Sequence, residues 1–287
     1  MPRIAYVNGR YVPHGEAYVH IEDRGYQLSD GIYEVWAVMG GKLADAEGHF
    51  ARLERSLNEL SIPQPMSRAA LQIVLKEMVR RNRVDEGLLY LQVTRGVAPR
   101  DHAFPTNGAA PAVTMTCKPI DRAAAEAKAA KGVGVVTTPE TRWARCDIKT
   151  VALLPNVLAK QQAREKDAYE AWFVDDLGLI TEGASSNAWI VDKDGVLRTR
   201  DTQANILRGI TRATLMKVIA DQGLKVEERP FTREEALSAR EAFSTGAGAL
   251  VMPVVRVDGQ AIGDGTPGPV AKSLRAAYIE KARALSV

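Results

Sequence analysis

IAYVNGRYV, from Ile4 to Val12, sets the apolar runs Ile4 to Val7 and Tyr11-Val12 on either side of Asn8-Gly9. That dipeptide tolerates the positive φ of a two-residue turn, so the stretch reads as a β-hairpin. Outward from it, Tyr33 to Met39 is a second strand, closed by Gly40-Gly41. From Glu47 to Leu60, Phe50, Leu53, Leu57 and Leu60 recur at helical spacing. Ser67 caps a further helix with the stripe Leu71, Val74, Leu75, Met78 and Val79, and strands follow from Gly87 (LLYLQVT) and over Ala112 to Cys117. Between Pro119 and Gly134 the run DRAAAEAKAAKG has no large apolar face, and its alanines permit a short solvated helix. Residues 1–120 therefore read as a smaller N-terminal domain, 121–132 as a linker and 133–287 as a larger C-terminal domain.

In the second part, strands are expected at Val133 to Thr137, Ala171 to Val174, Ala188 to Val191 and Val226 to Glu228. Helices are expected over Arg208 to Gln222, after the Thr232/Glu235 capping box, and from Pro269 to Ala284, with a hairpin about Asp258-Gly259. Strands that arrive both as hairpins and between helices point to an α+β architecture with mixed sheets.

A chain of 287 residues is long enough for a large core without disulfide staples. Its 46% hydrophobic and 25% charged composition is that of an ordinary globular protein, which excludes fibrous and disordered classes. The 38 basic and 35 acidic residues are interspersed, so nucleic acid is not expected as a partner. There is no apolar run of membrane-spanning length and no leader-like start, which gives no membrane partner and a cytoplasmic expectation. Cys117 and Cys146 have no CxxC spacing, and His14, His20, His49 and His102 form no HxxxH or HExxH pair. No metal site is expected.

Several groups have chemistry to offer. Gly132-Val133-Gly134 and Gly246-Ala247-Gly248 lack the third glycine and acidic residue of a dinucleotide fingerprint, although Gly246-Ala247-Gly248 lets backbone N–H groups approach an anion. A plain turn is the other reading. Arg100 and His102, two residues apart after a strand, could converge on a carboxylate or lie in a solvated loop. Lys149 stands between apolar stretches, where partial burial of a lysine favours the neutral, nucleophilic amine. Glu182 precedes Ser185-Ser186-Asn187, so it could hold a proton on an aromatic nitrogen while those residues orient a phenolate or phosphate, or all could form an ordinary turn.

Together, DRGYQLSDGIYEV (Asp23 to Val35), HFARL (His49 to Leu53), YLQVTRGVAPRDHAFP (Tyr90 to Pro105), RCDIKT (Arg145 to Thr150), LAKQQAREKDAYEA (Leu158 to Ala171), TEGASSN (Thr181 to Asn187), ILRGITR (Ile206 to Arg212) and MPV (Met252 to Val254) resemble the fold type IV pyridoxal-phosphate enzymes, most closely the D-amino-acid transaminases. The resemblance implies a small N-terminal α/β domain and a larger C-terminal domain with a mixed, barrel-like sheet. It implies pyridoxal 5'-phosphate on Lys149, with Glu182 at the pyridine nitrogen and Leu207 against the ring. Arg52, Ile210, Thr211, Gly246 and Ala247 would bind the phosphate, with Ile210 and Thr211 at a helix N-terminus. Tyr33, Arg100 and His102 would trap the substrate α-carboxylate, the last two across a homodimer interface, and Val35 would line the side-chain pocket. In one departure, Gly246 and Ala247 stand where relatives commonly carry hydroxyls, so backbone donors must do more.

The implied reaction is ping-pong transamination of a D-amino acid, of the D-alanine or D-glutamate type, with 2-oxoglutarate or pyruvate as acceptor. Lys149 would serve as Schiff base and proton shuttle. Other activities of the same fold are an aminodeoxychorismate lyase, a branched-chain L-amino-acid transaminase and an (R)-amine transaminase. The branched-chain enzymes typically carry an arginine in the strand corresponding to Leu89 to Val93, where this chain has Gln92.

Overall fold

The computed structural model describes residues 3–106, 108–203 and 206–287. They form two compact units: one of Met1–Asp121, Ile148–Ala152 and Leu285–Val287, the other of Arg122–Asp147 and Leu153–Ala284. The stretch read as a linker is largely the helix Arg122–Lys131, which belongs to the second unit. The lysine-bearing segment Ile148–Ala152, placed by sequence in the C-terminal domain, is instead part of the first unit.

A six-stranded sheet forms the frame of the first unit. Strand Ile4–Val7 pairs with Arg10–Pro13 through Asn8 and Gly9, both at positive φ as the turn requires, and on its other edge with Ala112–Pro119. Ala112–Pro119 pairs with Gly87–Thr94, which pairs with Gly31–Met39, all antiparallel, and Lys42–Leu43 closes the far edge. Alternation sends Ile32, Trp36, Leu89, Leu91, Val93, Val113 and Met115 into a core shared with Phe50, Leu53, Leu57, Leu71 and Leu75. Those last residues lie on the helices Ala46–Glu59 and Arg68–Asn82. Ser67 Oγ caps the second of these by accepting from Ala70 N. The opposite face of the sheet leaves Tyr33, Val35, Tyr90, Gln92, Thr114 and Thr116 half-buried.

The second unit is built on a ten-stranded mixed sheet. At its centre Leu250–Val257, Val133–Pro139 and Glu170–Val174 run parallel, while antiparallel pairs extend outward to Asn187–Val191 and Leu179–Gly183. Helices Ile210–Asp221 and Pro269–Ala284 pack with it, and Thr232 and Glu235 form the expected capping box of Arg233–Ser238. The helix expected over Arg208 to Gln222 starts two residues later, because Gly209 is extended and serves as its N-cap. The α+β expectation holds, and among the described residues no helix is long and apolar enough to cross a membrane.

Candidate active site

In the first unit, Lys149 lies on a segment that adds to the free edge of strand Gly31–Met39. Tyr33 N donates to Lys149 O at 2.9 Å and Val151 N to Gly31 O at 3.1 Å. Lys149 N donates to Ser56 Oγ (3.4 Å), one helical turn beyond Arg52. The Lys149 ammonium nitrogen sits 4.1 Å from the centre of the Tyr33 ring, and that ring stacks on Tyr90 with centroids 5.6 Å apart. Across the sheet Tyr33 faces Gln92 and Val35 faces Tyr90. Tyr90 donates its hydroxyl proton to Gln92 Oε1 at 2.7 Å, and burial pushes the Tyr90 phenol up to about 12. Lysine, tyrosines and amide thus share one half-open face.

Arg52 points to the other side, into the core. Strand alternation places Glu34 there, fully enclosed, and a lone carboxylate in that position would be prohibitively expensive. Two residues three apart on the helix reach it: Arg52 donates from Nε and Nη2 at 2.7 and 2.8 Å, and His49 Nδ1 lies 2.7 Å from Oε2. Burial pushes the Glu34 carboxyl up, but the guanidinium and the imidazole outweigh it and hold the group far below the usual carboxylate range. His49 is shifted below its ordinary value by its own burial, against the pull of Glu34.

Arg100 and His102 lie in an exposed loop. The loop is pinned from below: Arg24 donates to the carbonyls of Asp101 (2.6 Å) and His102 (3.4 Å), and Asp30 bridges Arg24 and Arg95. Both side chains are therefore presented by an anchored backbone.

The second unit gathers the remaining residues. Glu182, on strand Leu179–Gly183, is 3% exposed, so its carboxylate depends on donors from the protein. Leu207 N (3.0 Å) and Arg142 Nη1 (2.5 Å) donate to its Oε1, and Asn187 Nδ2 (3.0 Å) donates to Oε2. Asn187 also donates to Leu207 O, tying the strand to the segment that leads into helix Ile210–Asp221. Burial raises the Glu182 carboxyl, with Arg142 as the main opposing influence. At the helix start Ile210 and Thr211 occupy the first two positions, whose N–H groups have no acceptor within the helix. This is donor chemistry suited to a phosphate. Gly209 before them has no room for a side chain, because a Cβ would collide with Asn187 Oδ1.

Gly246 ends strand Glu241–Gly246, and a Cβ on it would lie 3.0 Å from Ser185 O. Gly246 and Ala247 are half-buried, so their backbone is the remaining source of donors there. The neighbouring hydroxyl, Thr245 Oγ1, is buried and accepts from Trp189 Nε1 at 3.0 Å. Ser185 and Ser186 donate to buried Glu170 at 2.7 and 3.2 Å, and Asn187 serves Glu182, so this trio orients carboxylates of the protein itself. Glu34 falls within the matched stretch Asp23 to Val35 with no role assigned to it there, and Arg142 lies in none of the matched stretches. Arg142 meets Glu182 across 40 positions, and no local spacing signals such a pair.

The family model for class IV amino-transferases matches residues 31–257. The chain belongs to the class IV aminotransferases. This class IV aminotransferase is 44% identical over 270 residues to a D-alanine aminotransferase of Bacillus licheniformis, covering 94% of each chain. It is 38% identical over 274 residues to one of Staphylococcus haemolyticus, covering 95% of each. Among solved structures it resembles a branched-chain aminotransferase of Thermoproteus uzoniensis with norvaline, with TM-score 0.84, 25% identity and coverage of 99% and 98%. It shares the fold of the Escherichia coli branched-chain amino acid aminotransferase, with TM-score 0.88, 24% identity and coverage of 98% and 95%.

Proposed function

We infer that this class IV aminotransferase depends on pyridoxal 5'-phosphate and moves the amino group of a D-amino acid to a 2-oxo acid. The observation that carries the reading is the 44% identity to a D-alanine aminotransferase along nearly the full length of both chains. The donor set fits the cofactor: a buried carboxylate for the ring nitrogen, uncapped N–H groups at a helix start for the phosphate, and an amine on an open face for the aldehyde. Bound there, the cofactor supplies an electron sink for charge developing at the substrate Cα.

The protein's own residues do the rest. Lys149 would hold the cofactor through its amine and would take the proton from the substrate Cα. Tyr33, stacked on Tyr90 and close to the Lys149 amine, keeps that amine on the open face of the sheet. Glu182 would hold the proton on the ring nitrogen, and Leu207, whose backbone N donates to Glu182, would pack against the ring. Ile210, Thr211, Gly246 and Ala247 would bind the phosphate, whereas Arg52, implied by the resemblance as a phosphate ligand, is engaged through Nε and Nη2 by the enclosed Glu34.

Arg100 and His102 fix the α-carboxylate with Tyr33, which directs the Cα–H of a D-amino acid to Lys149, while Val35 lines the side-chain pocket. They act from the partner subunit of a homodimer. Supporting this, the first unit, whose loop carries them, exposes the large apolar side chains Tyr18, Ile21, Tyr26 and Phe104, which favours burial against a second copy. Gln92, engaged by the Tyr90 hydroxyl, gives the sheet a neutral amide where branched-chain enzymes typically carry arginine.

Borohydride reduction of the holoenzyme, followed by digestion and peptide mapping, is the direct test. The label is expected on Lys149, and Lys149→Ala should abolish both labelling and D-alanine turnover while the fold persists. A label on another peptide, or equal turnover of D- and L-alanine, overturns the reading.

A further inference from the structure

Glu140 lies outside the donor set described for the cofactor, yet it takes more hydrogen bonds from Arg142 than Glu182 does. Arg142 donates to it from the backbone N (3.0 Å), from Nε (2.9 Å) and from Nη2 (2.6 Å), while Nη1 alone reaches Glu182. Thr181 Oγ1 adds a fourth donor to Glu140 at 2.9 Å, and the guanidinium lies over the Phe173 ring, 4.5 Å from its centre, so the arrangement is fixed on both sides. The Arg142 side chain is only 8% exposed and those of Glu140 and Glu182 are 19% and 4% exposed, which keeps solvent screening weak.

The charges of this row do not balance. With both carboxylates ionised, two negative charges face one guanidinium. The nearby Cys146 thiol is pushed up to about 11 by burial and stays neutral. Several other charges on adjoining elements are matched among themselves: Glu170 with Lys160 (3.2 Å), Arg145 with Asp147 (2.9 Å), Arg200 with Asp175 (2.8 Å) and Arg212 with Glu228 (2.8 Å), while Arg208, next to Leu207, is exposed to solvent screening. One negative charge is left over, and it lies on the carboxylate that Arg142 holds by a single bond. Among the described residues Glu182 Oε2 accepts only from Asn187, so that oxygen keeps acceptor capacity.

We propose that Glu140 is a positioning residue for transamination: by engaging Arg142 it leaves Glu182 with the surplus negative charge that holds a proton on the cofactor's ring nitrogen. The proton stays on that nitrogen, Glu182 remains a carboxylate, and no bond is made or broken. The row then alternates carboxylate, guanidinium, carboxylate and pyridinium, with net charge zero. Without Glu140, Arg142 and Glu182 would neutralise each other and the ring proton would lose its counter-charge. This inference rests on the functional reading above and adds the group that tunes its ring carboxylate.

The test is nitrogen-15 NMR of the ring nitrogen in enzyme reconstituted with labelled pyridoxal phosphate, titrated with pH. In Glu140→Gln and Glu140→Met, which remove the charge with and without a hydrogen-bonding end, the midpoint for loss of the ring proton should fall by about one pH unit. The kcat should drop about tenfold with KM for D-alanine unchanged. Glu140→Asp should restore the midpoint. Melting of each cofactor-free variant checks the fold, and the two neutral replacements guard against one of them failing to fold. Unchanged midpoints in both, or the same fall in Glu140→Asp, overturn the inference alone. Wild-type protein that takes up no covalent cofactor overturns the functional reading and this inference together.

Discussion

Glu34 in the first unit and Glu182 in the second are both buried carboxylates reached by a guanidinium, but one guanidinium serves a single carboxylate in the first and two in the second. Glu34 stands alone between Arg52 and His49, whereas Glu182 shares Arg142 with Glu140. The first cluster satisfies its carboxylate completely, and Glu34 is held ionised far below its ordinary range. The second leaves its carboxylate under-compensated, and burial raises it. Similar burial therefore yields a structural anion in one place and a receptive one in the other. What separates them is how many carboxylates share one guanidinium, with desolvation common to both.

The largest effect expected from breaking this contrast is on stability. Glu34→Ala strands Arg52 and His49 in the core and should cost about 3–5 kcal/mol, read by urea denaturation. A loss below about 1 kcal/mol would mean that the cluster does not hold the unit. Gly209→Ala comes next, because its Cβ must displace Asn187, the donor to Glu182 Oε2. A destabilisation of about 1–3 kcal/mol and weaker cofactor binding in fluorescence titration are expected, and wild-type behaviour in both would disprove the steric argument.

The dependence on pH sharpens the comparison further, since the two carboxylates act with opposite sign. Glu34 is lowered in the fold, so its contribution is present above the ordinary value of 4.5 and is lost as pH falls through the folded value. Glu182 is raised, so the stability it contributes is present below 4.5 and is lost as pH rises through its folded value. In melting of cofactor-free protein against pH, Glu34→Gln should flatten the acid side. Glu182→Gln should instead relieve the loss on the side above 4.5. Each change should amount to about 1.4 kcal/mol for every tenfold difference in proton affinity between the folded and unfolded chain. Changes of the same sign in both variants would refute the distinction. The smallest effect concerns the phosphate loop: Ala247→Ser restores a hydroxyl and should tighten cofactor binding by about 1 kcal/mol, measured by equilibrium dialysis. No gain would show that the backbone donors already suffice.

Much of this is legible in the chain. Asn8-Gly9, Ser67 and the Thr232/Glu235 box announce a turn and two helix starts because their signals are local and depend on backbone conformation. Helix Leu154–Glu165 has only Pro155 in its first turn to announce it and no side-chain cap. Its large apolar residues Leu154, Val157 and Leu158 face outward, while the small Ala159 and Ala163 are the buried ones, so the usual stripe is reversed. Strand Glu241–Gly246 is hidden by its buried Ser244 and Thr245, whose hydroxyls accept from Trp172 and Trp189. At the site, recognisable motifs pick out Lys149, Glu182 and Ile210-Thr211. Arg142 and Glu140 lie outside those motifs, and their value comes from a meeting with Glu182 that only the folded sheet creates.

The chain leaves the first unit after Asp121, returns for Ile148–Ala152 and returns again for Leu285–Val287. Val287 makes reciprocal backbone bonds with Leu43, and the lysine segment bonds to Gly31 and Tyr33. A gene severed between codons 121 and 122 would therefore yield an amino-terminal fragment lacking both the Lys149 segment and the ribbon that seals its sheet. Residues 1–121 moved as a single module would leave behind two stretches that bond to their sheet, Ile148–Ala152 and Leu285–Val287.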